Sequence, residues 1–186
     1  HKGSVGPAVV GELHIVDDDG NELPPGEIGT VYFGGDSARF TYHNEPEKTA
    51  GAYNDKGWAT TGDVGYVDED GFLYLTARKN FIIISVGVNI YPQEIENLLI
   101  SHSKIADVAV FGIPDEEFGE QVKAVVEPMN WADATDEVAI EIMEWLRERV
   151  SHIKMPRSLD FNAKLPRMDN GKLYKRHLVE EYRGGT

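Results

Sequence analysis

The sequence predicts an α+β protein built from a β-rich first part and a mixed second part. Up to residue 78, short half-apolar runs alternate with turn-rich segments, which is typical of β structure. From residue 79, apolar residues recur at helical spacing around two further strand-like runs. The length of 186 residues suits one large domain or two small ones with a buried core. We therefore predict domains at residues 1–78 and 79–186, with the boundary at Arg78–Asn80.

The strands of the first part are marked by apolar residues in short runs: Leu13, Ile15, Ile28, Val31 and Phe33. Two acidic segments, Val16–Gly20 and Val67–Gly71, end in glycine and predict hairpin turns with that glycine at positive φ. Acidic turns also suggest calcium, but an EF-hand loop needs Asp at its first position and Gly at its sixth. Ile15 and Tyr66 stand at those first positions, so calcium is excluded.

The second part alternates predicted helices and strands. Pro92 opens a helix, since its missing N–H costs little there, and the apolar face of that helix is Ile95, Leu98 and Leu99. Strand-like runs follow at 108–113 and 122–126. A second helix is predicted over Thr135–Val150, with acidic residues in its first turn and arginines in its last, as the helix dipole favours. A last short helix is expected after Gly171.

Charge and composition exclude several classes of function. The net charge of −14 repels nucleic acid and anionic membranes, so neither is an expected partner. Without cysteine there is no disulfide, no thiolate nucleophile and no Cys-based zinc site, which fits a cytoplasmic protein. Six scattered histidines show no ligand spacing, so we expect no bound transition metal. Apolar runs fall far short of the ~20 residues of a membrane span, and we expect no signal peptide.

Three clusters carry candidate chemistry, and each has a structural alternative. Asp63 follows a Thr-Gly turn, where a carboxylate can accept hydrogen bonds from a diol or can simply hold the turn. Gly87 lies between a strand and a helix, where it can admit a ligand close to the backbone or only allow positive φ. Lys172, after an Asn-Gly turn, can neutralise phosphate oxygens or can be a solvated lysine. This turn is not a Walker loop, because Leu173 stands where Ser or Thr is required.

Together, the order and spacing of these clusters resemble the C-terminal part of the adenylate-forming enzymes, the superfamily of acyl-CoA synthetases, luciferases and peptide-synthetase adenylation domains. The resemblance runs from about Gly11 to Tyr182. It rests on Gly26–Gly29, Trp58–Asp63, Asp70–Phe72, Arg78, Asn89–Glu96 and Leu165–Lys172. Within the superfamily, the Asn-Ile-Tyr-Pro segment with Glu-Ile-Glu is most similar to fatty-acid or aryl-acid CoA ligases.

The resemblance implies a role for each candidate residue. Residues 1–78 would be the terminal β subdomain of a large AMP-binding N-terminal domain, and 79–186 a mobile C-terminal lid. The nucleotide-binding positions would be Asp63 and Arg78 on the ribose or phosphate, with Leu75 packed nearby. Lys172 would be the catalytic lysine of adenylation. Asn80 would be the hinge, and the turn lining the CoA tunnel would be Ser85, Val86 and Gly87.

The implied activity is that of an ATP-dependent acid–thiol ligase of the long-chain fatty-acid–CoA ligase type, with a carboxylic acid, ATP and CoA as partners. ATP and Mg²⁺ would be bound mostly by residues upstream of this chain, so the chain alone is expected to be inactive. Two alternatives are an adenylating enzyme with a different acceptor and a non-catalytic module that keeps the fold.

Four positions depart from the pattern of the family: Ala77, Asn80, Phe81 and Val86. Ala77 replaces the usual Gly, and Phe81 stands where an acidic residue is common. Asn80 replaces the usual Asp or Lys and is expected to alter the hinge equilibrium. Val86 replaces the first of two glycines and is expected to narrow the tunnel for the acceptor.

Overall fold

The computed structural model describes residues 1–9, 11–36 and 39–184, and it confirms the α+β class. The chain divides into two compact units, His1–Asn80 and Phe81–Thr186. The division falls between residues 80 and 81, at the end of the predicted boundary segment. The last two residues of the predicted second domain lie outside the described part. No helix among the described residues is long and apolar enough to cross a membrane.

The first unit is an antiparallel sheet of five strands in the order β1-β5-β4-β3-β2. The strands are β1 (Gly6–Pro7), β2 (Glu12–Val16), β3 (Gly29–Gly34), β4 (Asp63–Val67) and β5 (Phe72–Arg78). A short helix, α1 (Pro46–Gly51), lies between β3 and β4 and was not predicted. Its six residues are too few for an apolar periodicity to show, and none of its residues is buried.

The two acidic turns have the predicted geometry. Gly20 and Gly71 have φ of +86° and +81°. In the first turn the Asp17 carboxylate accepts hydrogen bonds from the backbone N–H groups of Asp19 and Asn21. The acidic side chains are therefore used to hold the turns, as Asx turns do.

The second unit has one sheet with helices on both faces. Its strands are β6 (Ile83–Ser85), β7 (Val88–Ile90), β8 (Ile105–Asp115), β9 (Gly119–Pro128) and β10 (Ser158–Phe161). Its helices are α2 (Pro92–Leu99), α3 (Asp136–Arg147) and α4 (Lys175–Gly184). β9 pairs antiparallel with β8 and β6 and parallel with β10. The sequence did not predict β10.

All three predicted helices of the second unit form, and the last two have shifted ends. Pro92 begins α2 as expected, and Thr135 caps α3 by accepting a hydrogen bond from the Val138 N–H. The prediction that α3 reaches Val150 was wrong: the helix ends at Arg147, because the chain tightens and the Arg149 N–H donates to the Leu146 carbonyl. The last helix begins at Lys175, because the residues directly after Gly171 pair in a hairpin instead.

The core of the second unit explains why its strands are continuously apolar. Along β8, Val108 and Val110 pack in one cluster with residues of α2 and α3. The alternate residues Ala109 and Phe111 pack in another cluster with Leu178 of α4. A strand covered on both faces is apolar throughout rather than alternating.

Candidate functional site

Asp63 and Arg78 lie directly opposite each other on β4 and β5. The Arg78 Nε donates to the Asp63 Oδ1 over 3.0 Å, and the Thr61 hydroxyl donates to the other carboxylate oxygen, Oδ2, over 2.6 Å. Opposite residues of an antiparallel pair share a sheet face, so the hairpin itself sets this ion pair. The arginine therefore orients the carboxylate.

The Asp63 carboxylate keeps the capacity to bind a diol. An ionised carboxylate offers about four acceptor positions, and Thr61 and Arg78 use two of them. The side chain of Asp63 is 22% exposed, so a ligand can reach the remaining lone pairs.

A cavity of about 290 Å³ in the first unit places Asp63 next to an apolar surface. Leu75, which is 38% exposed, lies along this cavity together with Leu73, Phe33 and Val31. β5 can run so close to β4 here because Gly65 lacks a side chain: a Cβ would lie 2.3 Å from the Tyr74 carbonyl oxygen. A β-bulge accompanies this approach, between Val64 and Gly65.

Lys172 lies in the second unit, in a β-hairpin of residues 166–174 that we call the lysine hairpin. The Tyr174 N–H donates to the Pro166 carbonyl, and the Met168 N–H donates to the Lys172 carbonyl over 2.9 Å. Gly171, at φ +80°, makes the turn possible. Within the described part of the second unit, residues 81–184, no group pairs with the exposed ammonium of Lys172.

Two ion pairs hold the lysine hairpin and the start of α4, one to the sheet and one to α2. Arg167 donates two hydrogen bonds of 2.7 Å to the two oxygens of Asp107 on β8. This pairing raises the pKa of the Arg167 guanidinium above its already high usual value. Directly after the hairpin, Lys175 of α4 pairs with the buried Glu96 of α2, which also accepts a hydrogen bond from the Val110 N–H.

The turn at Ser85–Gly87 joins β6 to β7 rather than leading directly into a helix, as the sequence had suggested. Val86 and Gly87 have φ of +50° and +74°, as in the two-residue turns of β-hairpins. Ser85 is buried, whereas Val86 is 61% exposed. Both residues line a cavity of about 170 Å³, in which the Arg157 guanidinium lies 4.0 Å from the centre of the Phe118 ring.

Asn80 lies at the junction of the two units. It is exposed within a short 3₁₀ turn, Lys79–Phe81, which begins directly after β5. On its first-unit side, the Lys79 N–H donates to the Gly62 carbonyl, and the Lys79 ammonium pairs with Asp18 over 3.2 Å.

The structure therefore brings Asp63, Arg78 and Leu75 together in the first unit. Lys172 and the 85–87 turn both lie in the second unit but apart from each other. The lysine hairpin is bonded to Asp107 near the start of β8, whereas Ser85 pairs with Gly119, beyond the end of β8. Sequence reasoning assigned no role to Thr61 or Arg167. Thr61 stands two residues before Asp63, a local spacing that could have indicated the hydrogen bond. Asp107 lies 60 residues from Arg167, and no local pattern indicates that pair. Among the described residues, no three His, Asp or Glu are grouped to hold a metal ion.

Residues 94–172 match the family model of the AMP-binding enzyme C-terminal domain. This part of the chain is an AMP-binding enzyme C-terminal domain. The match confirms the resemblance to adenylate-forming enzymes that the sequence motifs indicated. The matched segment begins in α2 and ends at Lys172, so it contains Glu96, Asp107 and Arg167.

Related proteins extend the likeness over nearly the whole chain. A long-chain-fatty-acid–CoA ligase of Salmonella typhimurium is 38% identical over 185 residues, which are 99% of this chain and 32% of the relative. A feruloyl-CoA synthase of an Amycolatopsis species is 38% identical over 174 residues, 93% of this chain and 35% of the relative.

A solved structure is similar to the chain in fold. The crystal structure of ATP-bound MatB from Rhodopseudomonas palustris matches with a TM-score of 0.89 and 34% identity. The match covers 97% of this chain and 36% of MatB. The chain thus spans about a third of the length of the relatives it matches.

Proposed function

We propose that this chain is the C-terminal part of an ATP-dependent acyl-CoA ligase. The enzyme converts a carboxylic acid, ATP and CoA into acyl-CoA, AMP and pyrophosphate through an acyl-adenylate. Residues 1–78 form the end of its AMP-binding domain, and residues 79–186 form its mobile lid. The family match and the CoA ligases among the relatives support this assignment.

The observation that carries the proposal is the ammonium of Lys172, which pairs with no group in residues 81–184 and lies at the tip of an anchored hairpin. In adenylation, a carboxylate oxygen attacks the α-phosphorus of ATP and the bond to pyrophosphate breaks. Negative charge shifts between carboxylate and phosphate oxygens as this happens, and a positioned cation stabilises it without any proton transfer. Lys172 supplies that cation.

The first unit binds the nucleoside portion of ATP. Asp63 accepts hydrogen bonds from the two ribose hydroxyls with the lone pairs that Thr61 and Arg78 leave free. Arg78 keeps the carboxylate in place, and Leu75 provides apolar contact along the same cavity. In this proposal Mg²⁺ would be held by the substrate phosphates and mostly by residues upstream of this chain.

The second half-reaction uses the turn at Ser85, Val86 and Gly87. Thiol attack on the acyl carbonyl releases AMP and forms the thioester, and the proposal places this turn along the path of the thiol. Asn80 is the hinge about which the lid changes between its two working positions. Val86, whose side chain is exposed, narrows that path.

Among the carboxylic acids, we favour long-chain fatty acids, since a relative that matches 99% of this chain is a ligase of that type. The feruloyl-CoA synthase, with the same identity, makes aryl acids the second candidate class. A cytoplasmic location is part of this proposal, because ATP and CoA are cytoplasmic substrates.

Replacing Lys172 by alanine in the intact ligase that contains this chain tests the proposal. Acid-dependent exchange of pyrophosphate into ATP should fall by about 100-fold or more, the loss typical of a removed transition-state contact. Lys164→Ala is the matched control, because Lys164 is an exposed lysine of the same unit, and it should keep full exchange.

The acid panel for this assay should contain long-chain fatty acids and cinnamic-type aryl acids, with thioester measured alongside exchange. Thioester formation that Lys172→Ala abolishes would support the ligase. Acyl-AMP without thioester for every acid would point to a different acceptor. Full exchange in Lys172→Ala would contradict the role of the lysine. The isolated 186-residue chain should show no exchange and bind ATP weakly.

A further inference from the structure

The position of the Lys172 ammonium depends on the backbone that carries it. A lysine side chain has four rotatable bonds and makes no fixed fork of hydrogen bonds. No group in residues 81–184 holds the Lys172 ammonium in place. In the lysine hairpin, residues 167–172 are exposed and have few backbone hydrogen bonds, whereas Leu173 packs against the core cluster that contains Phe111 and Leu178. A contact made at the exposed turn itself would fix the backbone of Lys172 more closely than these interactions do.

Arg167 makes such a contact, with three hydrogen bonds from its planar guanidinium group. Its Nε and Nη2 donate to Oδ2 and Oδ1 of Asp107, both over 2.7 Å. Its Nη1 donates to the carbonyl oxygen of Gly171 over 2.6 Å. That carbonyl belongs to the peptide bond whose N–H is that of Lys172, so the guanidinium joins the backbone at Lys172 directly to β8.

The other end of this connection lies in the sheet of the second unit. Asp107 lies near the start of β8, opposite Glu127 of β9, and its side chain is 17% exposed. Its Oδ1 also accepts a hydrogen bond from the Val108 N–H. This hydrogen bond orients the carboxylate independently of Arg167. The neighbouring residues of β8, Val108 and Val110, are buried in the core.

We propose that Arg167 is a positioning residue for adenylation, which sets the place of the Lys172 ammonium by clamping the Gly171 carbonyl to Asp107. This inference rests on the proposed function of Lys172. A lysine at position 167 would keep the positive charge but could not make the three hydrogen bonds in the fixed planar geometry of a guanidinium. The effect belongs to the first half-reaction, since Lys172 acts there.

A purely structural ion pair would behave differently. If Arg167 only stabilised the second unit, its loss would weaken every activity that depends on that unit. A positioning role predicts that adenylation falls while the second half-reaction, which does not use Lys172, is kept. The two half-reactions therefore separate the two interpretations.

The test uses the intact ligase with Arg167→Lys and Arg167→Met, and with Lys172→Ala beside them. Acid-dependent pyrophosphate exchange should fall about 10-fold in Arg167→Lys and about 100-fold in Arg167→Met, the scale of losses from ångström-level misplacement. The loss should appear in kcat, with KM for ATP changed less than about 2-fold. Thioester formation from supplied acyl-adenylate and CoA should change less than about 2-fold in both variants.

Arg176→Lys is the matched control, because Arg176 pairs with Glu180 on the exposed surface of α4 and should keep both half-reactions. Exchange lost in Lys172→Ala but unchanged in both Arg167 variants would overturn this inference alone. Equal losses in both half-reactions of Arg167→Met would also overturn it, in favour of a structural ion pair. Full exchange in Lys172→Ala would overturn the role of Lys172 and this inference with it.

Discussion

Val86 has a backbone conformation that its side chain disfavours. At φ +50°, a residue with a Cβ is crowded by its own backbone, and a β-branched residue is affected most. The residue cannot easily relax, because the two-residue turn requires positive φ at both Val86 and Gly87 and the Val86 N–H is bonded to the Phe118 carbonyl. Strain of this kind persists mainly at functional turns.

Replacing Val86 by glycine should raise the free energy of unfolding of the second unit by about 1 kcal/mol, because glycine adopts positive φ without steric cost. Denaturant unfolding followed by circular dichroism measures the change. Val88→Gly is the control, since Val88 is also exposed but lies in β7 without positive φ. This substitution should lower the free energy of unfolding by about 1 kcal/mol. Equal destabilisation by both substitutions would show that Val86 is not strained.

At the scale of elements, the packing of α2 against α3 buries a histidine. His102 follows α2 and is 8% exposed, with its ring edge-on to Trp145 of α3 at 5.1 Å. Burial is the main cause that lowers the pKa of His102, and Lys104 and Arg149 lower it further, while Glu141 opposes them. At a given pH, His102 therefore binds a proton less readily in the folded protein than in the unfolded chain.

This depressed pKa predicts an acid-dependent loss of stability. As pH falls through about 6.5, His102 binds a proton in the unfolded chain before it does so in the folded protein. The stability that neutral His102 contributes is therefore complete above that pH. It is lost progressively below that pH, down to the lower pKa that His102 has in the folded protein. The free energy of unfolding should therefore fall between about pH 7 and pH 5 in the natural protein, and less steeply in His102→Gln. His152→Gln, at an exposed histidine, should keep the slope. An unchanged slope in His102→Gln would contradict the assignment.

At the scale of the whole molecule, each unit has its own core. Ile15, Val31 and Leu73 form the centre of the first. The second has a larger core that includes Ile142 and Leu146 of α3, both fully buried. Since cooperative opening follows buried apolar contacts, the two units have separate sources of stability.

Truncation of Leu146 to alanine should destabilise the second unit by about 2–5 kcal/mol through lost burial and a cavity. Hydrogen exchange read by mass spectrometry should then accelerate in β8 and β9 and stay unchanged in β2 and β3. Val31→Ala should give the reverse pattern. Accelerated exchange in both units after either substitution would show that they open together.

Local patterns predicted the elements that depend on neighbouring residues. The turns at Gly20 and Gly71, the helix opened by Pro92 and the cap region of α3 follow from turn chemistry, proline geometry and the helix dipole. Two of the elements that were missed, α1 and β10, are short and weakly apolar. β10 exists because it adds to β9 in parallel, a pairing between residues 158–161 and 123–126 that no local periodicity encodes.

The sequence by itself determined the fold class, the family and the candidate residues Asp63, Arg78 and Lys172, because these depend on residue types at short spacings. The tertiary structure alone showed how those residues are held. Arg167 reaches Asp107 across 60 residues of chain, and Lys175 reaches Glu96 across 79. Such contacts depend on how α2, β8 and the lysine hairpin pack, and packing is decided by the summed burial of distant side chains rather than by any local pattern.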